Sequence, residues 1–302
     1  MKLVSWKPLT RRPPLVIASL SIIALLAFLL VTRLVHRFSE QQKALARRMF
    51  AQGQWEQSAG RPKRAIEDFR VALNYDRENF RYQLSLARAL RDNNQPDEAR
   101  TYLLNLWDRA PEDGAVNLAL ARLAAREGQI EDAVHYYHNA AYGRWNSEAD
   151  NKRRNAQFEL VDFLLGQDAF PQAQAELLNL SATLPADEDV RLHIGQLFAG
   201  AQDFEHALSE YRLALSHHRD NLAALAGAGE AAFHLGRYRT AEQYLSSAWR
   251  GGLQDDRTRQ MREITHLILQ SDPYERGLSP AERERRTWVQ ERLAVRSRAG
   301  HQ

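Results

Sequence analysis

Histidine is the residue whose spacing here most readily suggests chemistry. Of ten histidines, His135 and His138 lie three apart, and His217 and His218 are adjacent. Two imidazoles at helical spacing can begin a zinc site, which then needs a third histidine or converging carboxylates to close it. The first pair only brackets Tyr136 and Tyr137, so it implies no metal. The sequence has no cysteine, which removes thiolate zinc sites, iron–sulfur clusters, thiol nucleophiles and disulfide frameworks together. It also has no phosphate-cradling glycine loop, H-E-x-x-H, G-x-S-x-G or paired dinucleotide fingerprint. The reading is of a chain with no catalytic residues, no cofactor and no metal, whose chemistry is recognition by charge and shape.

Such recognition needs elements to present it, and the composition points to helices. Glycine (15) and proline (10) are sparse, whereas alanine, leucine, arginine, glutamate and glutamine are abundant. These are strong helix formers, and no segment reads as a strand. The formal charge of +3 on 302 residues is close to balance, so no specific nucleic-acid partner is implied.

Leu15 to Thr32 is eighteen residues without a charge, about 27 Å as a helix and close to the thickness of a bilayer core. It has no polar face, as a buried core helix would, and it ends in Thr32-Arg33 without the small-x-small site of a cleaved signal. Thr10-Arg11-Arg12 precedes Pro13-Pro14, not the large apolar residues of a twin-arginine signal, and reads as flanking charge. Residues 15–35 are therefore expected to be an uncleaved single transmembrane helix after a basic tail, 1–14. Basic residues flank it on both sides, Lys2, Lys7, Arg11 and Arg12 before it and Arg33, Arg37, Lys43, Arg47 and Arg48 after, so charge hardly orients it. The brevity of the tail favours a C-terminal domain on the far side of the membrane, the periplasm if the membrane is a bacterial inner membrane. A helical connector over 36–45, with Leu34, Phe38, Leu45 and Met49 at roughly helical spacing, runs into residue 46 and beyond, with no helix breaker from Arg33 to Gln57 except Gly53.

From there a pattern recurs: a small residue, a large one four places on, and a small or apolar one three further. It reads Ala65-Phe69-Ala72, Ala99-Leu103-Leu106, Ala133-Tyr137-Ala140, Ala173-Leu177-Leu180, Ala207-Tyr211-Ala214 and Ala241-Leu245-Ala248. The leading alanines are 34, 34, 40, 34 and 34 residues apart. That period and pattern resemble the tetratricopeptide repeat, a 34-residue helix pair with the signature W-x2-L-G-x2-Y, then A-x3-F, then P. Its eighth place is held here by Gly53, Ala87, Ala121, Val161, Gly195 and Gly229, and its thirty-second is proline only at Pro111 and Pro185. Glycines at Gly60, Gly128 and Gly236 mark turns between paired helices, while the tryptophan of the fourth place is absent throughout.

The resemblance implies an all-α fold, a right-handed α-α superhelical solenoid of about six helix pairs plus capping helices behind one transmembrane helix. The array occupies 46–255, with repeats near 46–79, 80–113, 114–147, 154–187, 188–221 and 222–255. Small residues at the eighth and twentieth places let paired helices approach, and the large residue at the twenty-fourth fills the gap to the next repeat. The six-residue excess falls in Gly143 to Arg153 and is expected to lengthen a helix end or a loop, with Trp145 packed there.

In this family the first helices line a concave groove that binds protein. The register places there Arg47, Phe50, Gln54 and Gln57, then Arg81, Leu84, Arg88, Arg91 and Asp92, then Leu118, Arg122 and Arg126. Repeats four to six add Phe158, Asp162, Asp189, Leu192, Gln196, Glu230, Phe233 and His234. The first half is basic, and Arg81, Arg88, Arg91, Arg122 and Arg126 are expected to hold an acidic stretch of a partner, because a guanidinium grips carboxylates in pairs. Phe50 and Gln54 stand where the family's chaperone-tail clamp has lysine and asparagine, so that partner is not implied.

Residues 256–271 read as a capping helix with an apolar stripe of Met261, Ile264, Leu267 and Ile268. A basic helix and tail complete the chain over 272–302. Its helix starts at Ser279-Pro280-Ala281-Glu282, with Ser279 as cap and Glu282 placed for a capping box. It carries Arg283, Arg285, Arg286, Arg292, Arg296 and Arg298 around Trp288, Val289 and Leu293, a pattern suited to packing on the array or to anionic lipid or an acidic partner. The expected function is a membrane-anchored scaffold for assembling an envelope complex. The alternative is an accessory subunit that positions a lipid- or glycan-handling enzyme.

Overall fold

The computed structural model describes residues 13–185, 187–272 and 277–288. Among them the regular structure is helical, and the chain divides into two compact units, residues 1–144 and 145–302.

The first unit opens with α1 (Pro13–Ser58), a helix of 46 residues and about 69 Å at 1.5 Å per residue. Its apolar part has no protected side, since Leu20 through Val35 leave roughly half or more of each large apolar side chain exposed. It is long and apolar enough to cross a membrane. No break separates that stretch from the last turns of α1, which pack on α2 (Pro62–Tyr75). Two further antiparallel pairs follow, α3 (Phe80–Asp92) with α4 (Pro96–Arg109) and α5 (Gly114–Arg126) with α6 (Ile130–Tyr142). The second unit holds α7 (Ala149–Gly166) with α8 (Phe170–Thr183), α9 (Glu188–Gly200) with α10 (Phe204–His217), and α11 (Leu222–His234) with α12 (Tyr238–Arg250). Then come α13 (Asp256–Gln270) and a helical stretch over 280–288.

Each pair closes by the same hydrogen-bonded turn. Its centre is a left-handed residue: Gly60, Asn94, Gly128, Asp168, Gln202 and Gly236, with φ between 54° and 72°. The next residue donates its N–H back across the turn to the carbonyl five positions earlier, as Arg61 to Glu56, Gln129 to Ala124 and Asp203 to Phe198, all at 2.9 Å. This is the Schellman closure, which satisfies carbonyls a helix end would otherwise orphan. Several first helices, and α13, begin on an asparagine or aspartate that accepts from the new helix's N–H groups. Asn79 takes Tyr82, Asp113 takes Ala115 and Val116, Asp187 takes Asp189, Asn221 takes Ala224 and Asp255 takes Thr258.

Within the pairs, small meets large. A Cβ at Gly53 would stand 2.6 Å from the ring of Phe69, at Gly195 2.8 Å from Tyr211, and at Gly229 2.7 Å from Leu245. The eighth place thus receives the twenty-fourth of its own repeat. Tyr211 reaches onward too, its ring lying against Gly227 of the next pair.

The six extra residues between α6 and α8 are shared out. The loop before α7 runs over 143–148 where other repeats have four residues, α7 has 18 residues where α5, α9 and α11 have 13, and α6 is one residue shorter than α2, α4, α8 and α10. Gly143 is required there, because a Cβ would fall 2.5 Å from the Asn139 carbonyl oxygen and 2.9 Å from that of Glu112. That close approach forms a short parallel bridge between Asp113 and Arg144.

The capping helix departs from the expected face. Thr258 and Thr265 are its buried residues, Met261 and Ile268 are half-buried, and Ile264 and Leu267 point outward. Thr265 is accommodated because its hydroxyl donates back to the Met261 carbonyl at 2.7 Å. At the last helical stretch Ser279 accepts from the Glu282 N–H, as a cap should, but the Glu282 carboxylate accepts from Arg285 and Arg286. Val289, Leu293, Arg292, Arg296 and Arg298 lie outside the described residues.

Candidate functional site

In the first unit the arginines of α3 and α5 lie together. Arg88 is largely buried and donates to the Ala115 carbonyl at 3.3 Å. Its affinity for its proton is lowered, first by burial and then by the positive charges of Arg122 and Arg91. Arg91 forks onto Asp92 at 2.8 and 3.0 Å, and Asp92 also accepts from Gln57 at 3.3 Å. Even so, Arg88 Nε and Arg91 Nη1 are buried donors without an acceptor among the described residues. Arg81 lies over the Phe50 ring at 5.7 Å.

Other predicted groove residues have structural duties. Phe50 is 7% exposed and stacks on Tyr82 at 4.5 Å, and Leu84 and Leu118 are as deeply buried, so these three shape the surface from beneath. Arg126 donates to the Arg91 carbonyl at 2.8 Å and reaches Asn94, which ties it to the end of α3. Arg47 and Gln54 are exposed on α1. The arginines brought together are thus Arg88, Arg91 and Arg122, with Arg81 at the edge.

In the second unit Gln196 of α9 and Glu230 of α11 line a common cavity with α13. Asp162 is exposed, and Leu192 is half-buried. Phe158 packs on His193 at 5.3 Å. Phe233 meets Tyr238 edge-on at 5.6 Å and His234 stacks on Phe204 at 4.2 Å, which commits both rings to packing. The histidines that stood out by spacing are dispersed: Asn139 bonds His135, His138 packs on Tyr142, and His218 meets Glu188 at 2.9 Å. Among the described residues no three metal-binding side chains converge.

Sequence reasoning passed over Arg191, whose guanidinium donates to Glu210 at 3.0 Å and to the carbonyls of Ser181 and Leu184. It fastens the loop between α8 and α9. An arginine near the start of a first helix, with a carboxylate on the helix after it, was the available signal.

The helix pairs, the small-against-large contacts and the repeated turns define a helical-repeat protein. Two family models described as tetratricopeptide repeat match residues 56–123 and 192–252. The chain thus carries tetratricopeptide repeats over these two stretches, one in each unit. No curated protein matches it in sequence. Among solved structures it is similar to YrrB, a protein of this family described as having an unusual peptide-binding site, at 14% identity over 66% of this chain and 99% of that one, with a TM-score of 0.50. It is also similar to the C-terminal part of a repeat-containing protein from Cytophaga hutchinsonii, at 13% identity over 75% and 96% of the two chains, with a TM-score of 0.52. At such identities the likeness is one of fold.

Proposed function

We propose that the chain is a membrane-anchored scaffold that holds a partner protein by an acidic segment seated on Arg81, Arg88, Arg91 and Arg122. The observation that carries this reading is the burial of Arg88 among like charges with donor nitrogens left unmatched. Three guanidinium groups held close repel one another, and buried unpaired donors are destabilising. Aspartate or glutamate side chains of a partner would offset the clustered positive charge, since each carboxylate accepts two guanidinium N–H bonds. Arg126 is not assigned to the ligand, because its donors already close α3.

α1 supports the anchoring part, with the soluble units on the far side of a bacterial inner membrane and the partner belonging to an envelope complex under assembly. A reporter fused after Gln302 and active only in the cytoplasm would reverse the orientation. The binding reading is tested with the full-length chain in detergent micelles and two labelled decapeptides, one rich in aspartate and glutamate and one with the matching amides. The acidic peptide should bind at least roughly tenfold more tightly at low salt, and Arg88→Glu combined with Arg122→Glu should remove that preference. Equal binding of the two peptides would retire the acidic-segment assignment.

A further inference from the structure

The second unit has an open-sided cavity of about 460 Å3 between α9, α11 and α13. Its wall at Gly227 lacks a side chain, and a Cβ there would stand 2.5 Å from Tyr211 Cζ. Glycine thereby makes room for the Tyr211 ring, which is 3% exposed. Tyr211 is among the residues that line the cavity, where a phenol oxygen can both donate and accept. Burial, and after it the Glu230 charge, hold that hydroxyl protonated far above neutral pH, so it is a fixed neutral donor and acceptor. At the mouth Glu230, 24% exposed, accepts from the guanidinium of Arg257, which is 74% exposed. A second carboxylate, Asp255, caps α13 through Thr258. Two carboxylates against one guanidinium leave the mouth net negative.

We propose that this cavity is a recognition pocket for an arginine side chain of a partner polypeptide, and that Arg257 is its displaceable occupant. The carboxylate already selects a guanidinium, supplied by a long side chain from solvent whose exposed pairing is weak. An incoming arginine would place its methylenes on Leu253 and Met261, take over Glu230, and meet the Tyr211 phenol oxygen as a second acceptor. Charge is the opposite of that around Arg88, so this pocket is a separate site with separate chemistry.

The test uses the full-length chain in detergent micelles and immobilised octapeptides of alanine, glycine and serine that carry one central arginine or, as control, one glutamine. The arginine peptide should bind roughly tenfold more tightly than the glutamine one, the effect of a charge-assisted pair. Glu230→Gln should abolish that preference. Arg257→Ala should tighten arginine-peptide binding several-fold, because the competing guanidinium is gone. A pair serving only to clamp α13 predicts the reverse, a lower melting temperature with no gain in affinity. Equal binding of the two peptides by Arg257→Ala, absence of binding included, or weaker binding by that variant than by the parent chain, would overturn the proposal. Arg88→Glu should leave arginine-peptide binding unchanged, so failure of the acidic-segment reading and failure of this one are separable.

Discussion

Arg191 and Glu210 leave only 11% and 9% of their side chains exposed, and their removal from water is made tolerable by the carbonyls that Arg191 also meets. Truncating one partner strands the other, so Arg191→Ala should lower the unfolding free energy by about 3 kcal/mol in urea titrations. Replacing both with apolar residues, Arg191→Met with Glu210→Leu, should recover most of that loss. Asp255 predicts a pH effect of definite sign. Its carboxyl is held below the ordinary aspartate range by the backbone and hydroxyl of Thr258. A group whose folded-state pKa is depressed contributes stability above its unfolded pKa, near about 3.9, and loses it as pH falls through the folded value. Melting temperatures should therefore fall through that acid range, and Asp255→Asn should show a shallower fall than the parent chain. The proximity of the arginines was partly legible at this scale. Family register selected Arg88, Arg91 and Arg122, but it also selected Arg126, because register fixes where a Cα lies and not which backbone carbonyl a long side chain finds first.

Helix ends show how much local chemistry a repeat can vary without changing its geometry. All six intra-pair turns use a left-handed residue, yet only Gly60, Gly128 and Gly236 are glycine. Those three turns were readable from sequence, whereas Asn94, Asp168 and Gln202 were not, since a side chain there disguises the conformation it adopts. A Cβ on Gly128 would touch nothing, so Gly128→Ala isolates the backbone penalty and should destabilise by about 1 to 2 kcal/mol. Gln202→Gly should act oppositely and raise the melting temperature by the smaller amount left after the unfolded chain gains freedom. The alanine period gave the helix pairs, and the excess after α6 was visible as length but not as its division between loop and α7. The face of α13 was misjudged for a physical reason. Counting apolar residues ignored that a threonine whose hydroxyl bonds its own helix presents mainly a methyl group to its neighbour, and so competes with isoleucine and leucine for the interior.

At the scale of the molecule, α1 belongs at once to the apolar stretch proposed as the anchor and to the first helix pair. A linker of glycine and serine would let the repeats wander, but an uninterrupted helix transmits orientation as well as distance. Each residue of α1 between the bilayer and Ala46 sets azimuth by about 100° and height by about 1.5 Å. One residue inserted near Gln41 would turn the first unit's arginine face about a third of a revolution relative to the membrane, whereas seven would return it to within about 20° of its starting bearing, about 10 Å higher. Cross-linking between a photoreactive residue at Arg81 and a partner fixed in the same bilayer should fail with the single insertion and recover with seven. On the proposed anchoring, α1 acts as a keyed shaft, and the direction in which the arginine face docks is set by the number of residues in its stem.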